Sequence, residues 1–108
     1  MLKKSLFALL FLLAALSADG TSSVSEGEKL FKSYCWGCHH QTAQAFGPSF
    51  RSIANRRDKV TIIAMIADAN ATYRQLGYRR NSMPSFADLK PRELEALADY
   101  ILSFKDKK

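Results

Sequence analysis

This 108-residue chain has only two cysteines, two histidines, three prolines and one tryptophan. With its cysteines at 35 and 38, it has no disulfide framework, since a Cys-x-x-Cys bridge closes a tiny loop and constrains little. It also lacks a long hydrophobic run. The longest, "LFALLFLLAAL", spans 11 residues from Leu6 to Leu16, too short to cross a bilayer as a helix. The net charge of +6 is scattered, with no Lys/Arg run longer than two, so the dense basic stripe expected for nucleic-acid binding is missing. No segment of residues 21–108 alternates apolar and polar side chains at the period of a strand, which leaves helices and loops.

What is present begins at the N-terminus. Lys3 and Lys4, the apolar run and the small polar residues "SADGTSS" follow the charged, apolar and small-residue order of a secretory signal peptide. Residues 1–17, or up to 20, are therefore expected to be an export leader, and residues 21–108 one small domain, delivered to a bacterial periplasm. Without residues 1–17 the chain keeps 91, and loss of two lysines lowers its charge from +6 to about +4. A domain of that size buries a limited core and often needs a metal, disulfide or cofactor as a staple.

The pattern predicts three to four short helices. Ser25 and Glu28 read as a capping box opening a helix over "EGEKLFKSY", in which Gly27 suggests close approach of another backbone. Residues 40–57 read as a loop around Gly47-Pro48, with Phe46 and Phe50 as apolar pins. Asp58 is placed to cap a helix over "KVTIIAMIADANA", apolar on nearly every side. The stretch "TYRQLGYRRNSMPSF" lacks helical periodicity and reads as a second long loop. Pro91 suits the first turn of a helix with Leu94, Leu97, Ala98 and Ile101 as its apolar stripe, and the lysines of "KDKK" suit its C-terminal dipole. Long loops in a small domain usually serve a function or wrap something.

All four Cys and His residues fall within "YCWGCHH", residues 34–40. Three chemistries use a cysteine pair at this spacing. A redox dithiol of the thioredoxin kind wants a βαβ setting, which the helical pattern does not supply. A structural zinc site needs four ligands, and adjacent His39 and His40 do not easily turn to one metal beside Cys35 and Cys38. Cys-x-x-Cys-His is the attachment signature of c-type haem: two thiols add to two vinyl groups of one porphyrin, and the next histidine reaches the iron.

With that motif in place, residues 21–108 resemble the small bacterial class I (monohaem) cytochromes c. "SEGEKLFKSYCWGCHH" is similar to the family's first helix and haem motif, "FGPSF" to its Gly-Pro segment, "NSMPSF" to its Met-Pro loop and "LEALADYILSF" to its last helix. The resemblance implies an all-α cytochrome c fold wrapped around one haem c attached through Cys35 and Cys38. It implies His39 as proximal ligand, its second ring nitrogen bonded to the Pro48 carbonyl, and Met83 as sixth ligand. It also implies that Gly27 and Phe31 cross Leu97 and Tyr100 where the first and last helices meet.

Other residues receive plainer readings. Met65 is expected in the core, His40 as a solvent-facing neighbour and Trp36 over the surface near the haem edge. Arg51 or Tyr73 is a candidate for a haem propionate, and Arg79 and Arg80 for partner docking. "DANAT" resembles an extended bacterial glycosylation sequon at Asn70. Together these imply a non-enzymatic one-electron carrier, cycling Fe(III)/Fe(II) between a respiratory donor and a terminal oxidase or reductase, with acidic docking surfaces on its partners. Alternatives are a haem subunit fixed in a larger oxidoreductase, for instance in sulfur oxidation, and a five-coordinate haem sensor or peroxidase.

Overall fold

The computed structural model describes residues 19–107, so the leader expected over residues 1–17 lies outside the described residues. The described chain is helical, without strands: α1 Asp19–Tyr34, α2 Phe50–Arg56, α3 Lys59–Ala67, α4 Ala69–Thr72 and α5 Pro91–Leu102. None of these is long and apolar enough to cross a membrane.

The first and last helices make the most extensive helix–helix contact. Gly27 is the reason they can approach. A Cβ there would overlap the carbonyl oxygen of Ala96 and lie 2.6 Å from Tyr100 Cβ. Next to this crossing Phe31 and Leu97 are both 0% exposed, and Phe31 meets Tyr100 at 5.6 Å and Phe50 at 5.0 Å between ring centroids. The predicted stripe of α5 faces inward: Leu97, Ala98 and Ile101 are buried and Leu94 packs against them. Asp99 on the flank of α5 joins three helices, accepting from Ser23 Oγ at 2.8 Å and pairing with Lys59 Nζ at 2.9 Å.

Local signals set the ends of several elements. Asp58 Oδ1 accepts from the Thr61 N–H at 2.9 Å and caps α3. Pro91 occupies the first turn of α5, where Glu93 Oε1 accepts from the Lys90 N–H at 2.9 Å. The second long loop, between α4 and α5, is present as expected.

Five expectations need correction. Ser25 does not start α1 but lies inside it, because Val24 packs on the core and Ser23 is held by Asp99. Residues 50–56 form α2 rather than loop: Ser49 Oγ accepts from the Ser52 N–H at 3.1 Å, and Phe50 and Ala54 are buried one turn apart. The helix after Asp58 is interrupted at Asp68, whose Oδ1 accepts from the Ala71 N–H at 3.2 Å and starts α4. Phe46 is not buried in the core but borders the cavity, and Phe50 alone is buried there. Residues 105–107 lie beyond α5 instead of facing its dipole. Asp106 accepts from Arg51 Nε at 2.7 Å and Asn55 Nδ2 at 3.0 Å, tying the tail to α2.

Two predictions follow from this packing. Gly27→Ala should gain helix propensity in isolation, yet destabilise the protein by about 1–3 kcal/mol through overpacking. A denaturant titration of the holoprotein reads the sign, and an increase in stability would contradict the tight crossing. The second concerns Asp106, whose carboxyl is held below its ordinary range chiefly by the hydrogen bond from Arg51. Its folded pKa is depressed, so its contribution is present above the unfolded value near ~3.9 and is lost as pH falls through the folded one. Asp106→Asn should therefore melt slightly earlier at neutral pH, and the difference from wild type should vanish in acid.

Candidate haem site

The end of α1, the first loop, α2, α3, the second loop and Ile101 of α5 enclose one cavity of about 450 Å³. Cys35, Cys38, His39, Pro48 and Met83 all line it, so the structure brings the expected site residues together. The remaining lining is mostly apolar, including Phe50, Ile53, Ile62, Ile66 and Phe86. Met65 also borders the cavity.

The cysteines are delivered by the last turn of α1. The Cys35 N–H donates to Phe31 O at 2.9 Å, and the N–H groups of Cys38 and His39 both donate to Cys35 O, at 3.1 and 2.9 Å. That tight turn sets the two thiols and the imidazole on one rim. Cys35 is buried and Cys38 exposed, neither in a disulfide. Burial, with the neighbouring Cys38 second, pushes the Cys35 thiol up to about 11. A redox-active cysteine is usually activated the other way, towards thiolate. Among the described residues no three His, Cys, Asp or Glu side chains converge as a metal site.

The two histidines have separate tasks. His39 Nδ1 lies 2.7 Å from Pro48 O. A carbonyl can only accept, so Nδ1 carries the proton and Nε2 keeps its lone pair for a metal. Gly47 packs against that ring: a Cβ there would lie 2.6 Å from His39 Cε1 and 3.0 Å from Nδ1. The Gly47 N–H donates to Cys38 O at 2.7 Å, which closes the loop onto the cysteine turn. His40 is outside the cavity lining and is no bystander. Its Nδ1 accepts from the N–H groups of Thr42 and Ala43 at 3.1 and 3.0 Å, and its carbonyl accepts from Phe50 at 3.0 Å. Trp36, 59% exposed, also lies outside the lining, edge-on to Phe31 at 5.8 Å.

Met83 reaches the cavity from the second loop and is half-buried against the core. The loop is tied down by the Phe86 N–H donating to Ile66 O at 2.9 Å. Arg57 secures its upstream part, donating from Nη2 to Leu76 O at 2.9 Å with its guanidinium 5.9 Å from the Tyr78 ring centroid.

The propionate candidates were misplaced. Arg51 is engaged with Asp106 and Tyr73 OH accepts from Arg74 Nε at 2.9 Å, and neither lines the cavity. Arg56, Arg57 and Arg80 do, whereas Arg79 is exposed away from it. Asn70 lies in α4 with Oδ1 accepting from Asn81 Nδ2 at 3.0 Å. Sequence reading missed Gly47, whose contact is tertiary, and Asn81, although an Asn two residues before Met83 carries an Asx-turn signal.

Two thiols on one rim, an imidazole with a free Nε2 and a thioether around an apolar cavity fit a covalently held haem. The comparisons agree. The family model for cytochrome c oxidase, cbb3-type, subunit III matches residues 22–101. Cytochrome c6 of Cyanidium caldarium is 30% identical over 87 residues, covering 81% of this chain and 76% of that protein. A solved cytochrome c from Rhodothermus marinus superposes with a TM-score of 0.63 over 78% of each chain, at 23% identity, and shares the fold. The chain belongs to the cytochrome c family, with a domain of the kind the cbb3-type subunit III model describes and haem c as its covalently attached cofactor.

Proposed function

We propose that the chain is a periplasmic one-electron carrier with His39 and Met83 as its axial ligands. The carrying observation is that Cys35, Cys38, His39 and Met83 line one cavity while Pro48 O engages His39 Nδ1 at 2.7 Å. Haem c, when bound, supplies an iron that alternates between Fe(III) and Fe(II). Cys35 and Cys38 would hold the macrocycle through thioethers, which no pH change releases. Pro48 fixes the tautomer of His39, leaving Nε2 as the ligand and raising its basicity. Met83 offers a soft thioether, which favours Fe(II) and raises the potential.

If His39 and Met83 both held the iron, the chain would leave it no position for substrate, and this reading assigns no bond chemistry and no enzymatic activity. The apolar lining excludes water, which keeps the two charge states close in geometry. The leader expected over residues 1–17 supports export to the periplasm. The net positive charge, with Arg56, Arg57 and Arg80 at the cavity, favours partners with acidic docking surfaces, a respiratory donor and a terminal oxidase or reductase.

A second reading, a haem subunit fixed in a larger complex, is favoured by the match to a model named for an oxidase subunit. Size-exclusion chromatography of native extract separates the two: stable co-elution with a catalytic subunit selects the fixed subunit.

A redox titration followed by absorption tests the main reading. A single one-electron wave, a low-spin spectrum and the weak sulfur-to-iron band are expected. Met83→Ala should abolish that band and lower the potential, and a high-spin wild type that readily takes up carbon monoxide would overturn the assignment. Gly47→Ala should push the His39 ring and weaken its Pro48 bond, costing about 1–3 kcal/mol in a holoprotein melt.

A further inference from the structure

The backbone of Met83 is held by one side chain. Asn81 Oδ1 accepts from the Met83 N–H at 3.0 Å, and Asn81 Nδ2 donates to Met83 O at 2.9 Å. The orientation of the amide follows from its partners, because an N–H requires the oxygen and a carbonyl requires the nitrogen. The second Nδ2 hydrogen goes to Asn70 Oδ1 at 3.0 Å, on α4. On the far side of Met83, the Phe86 N–H donates to Ile66 O at 2.9 Å and Ser85 Oγ to Asp68 Oδ1 at 3.4 Å. Met83 therefore hangs between two attachments to the α3–α4 junction, and among the described residues Asn81 alone grips the residue itself.

We propose that Asn81 is the positioning residue for Met83: by clamping its N–H and C=O and leaning on Asn70, it sets how readily the Met83 thioether leaves the iron. The proposal rests on the reading of Met83 as axial ligand. Asn81 is half-buried and touches the cavity, yet its amide is used up by the clamp, so its effect passes through Met83. Loss of the clamp frees two backbone groups of a loop without helical support, and the sulfur samples positions away from the metal. The cost falls on the bound state of the thioether.

The test is imidazole binding to the ferric holoprotein, which requires the thioether to depart first. Asn81→Ala should bind imidazole with an apparent affinity on the order of 10-fold higher, the equivalent of about 1.4 kcal/mol and comparable to one or two neutral hydrogen bonds. It should also weaken the sulfur-to-iron band. Asn81→Asp keeps the acceptor for the Met83 N–H and loses the donor, so an intermediate shift is expected. Asn70→Ala removes only the outer support and should shift least. Asp106→Asn, which loosens the tail on α2, serves as the stability control and should leave imidazole binding unchanged.

Asn81 variants that melt earlier but bind imidazole as wild type does would overturn the proposal. Should Asn81→Ala not fold, Asn81→Asp and Asn70→Ala carry the same comparison. Failure of the ligation reading itself is recognised separately: Met83→Ala would then bind imidazole no more readily than wild type, whatever Asn81 does.

Discussion

Everything near the cavity depends on how closely α1 and α5 approach. Gly27 leaves room for the Ala96 carbonyl, and with that contact made, Phe31 and Leu97 are driven fully out of water. Phe31 then has Phe50 and Tyr100 on its ring, so α2 is seated by the same aromatic group that seals the crossing. The last turn of α1 carries the cysteines, and the main chain of Phe31 accepts the Cys35 and Trp36 N–H bonds, at 2.9 and 3.0 Å, that begin that turn. A shift of α1 along α5 would move the thiols with it. Helix packing and haem attachment are in this sense one constraint, because interiors packed at crystal density transmit small displacements.

The adjacent histidines show how a short loop meets two demands. One ring must be aimed at the cavity and the other must hold the backbone that aims it. His39 is gripped between Pro48 O and the bare face of Gly47, while His40 collects the Thr42 and Ala43 N–H groups and passes its own carbonyl to Phe50. Without the His40 turn, those two amides would need water, and the loop would lose its return path to α2. The spacing of the motif explains why His39 follows Cys38 directly. It says nothing about His40, whose value lies in contacts that fold back over two and three residues.

Much of the architecture was legible because it is written in local chemistry. Asp58 before an apolar run, Pro91 ahead of a periodic stripe and the aperiodic stretch with Met83 each act within a few residues, and each appears where expected. The misreadings share a cause. Ser25 offers a good capping box, yet α1 continues through it because Asp99, 76 residues from Ser23, supplies a partner upstream. Ser49 is a cap whose helix is short, so its period hardly registers before Arg57 ends it. Arg51 looked free for a propionate until Asp106 took it from 55 residues away. Of the residues that line the cavity, the cysteines and His39 were expected from type and spacing, and Met83 from the family resemblance. Gly47 and Asn81 were not, since one matters for an absent atom and the other for bonds to a backbone.

A carrier gains from holding its metal the same way in both charge states, and the polar groups of this chain are distributed to that end. The cavity wall is mostly apolar, so few dipoles there have to reorient when the charge of the centre changes. Hydrogen bonds stand one step behind the groups proposed to bind iron: Pro48 O behind His39, Asn81 behind Met83, and Asn70 behind Asn81. None of these bonds ends on a carboxylate. Asp99, Asp58 and Asp106, in contrast, join or cap helices at the surface, away from the cavity lining. Apart from the Arg56, Arg57 and Arg80 guanidinium groups at the cavity, the division sets neutral dipoles, whose orientation is fixed by packing, behind the groups proposed to bind iron and uses carboxylates to fasten the scaffold.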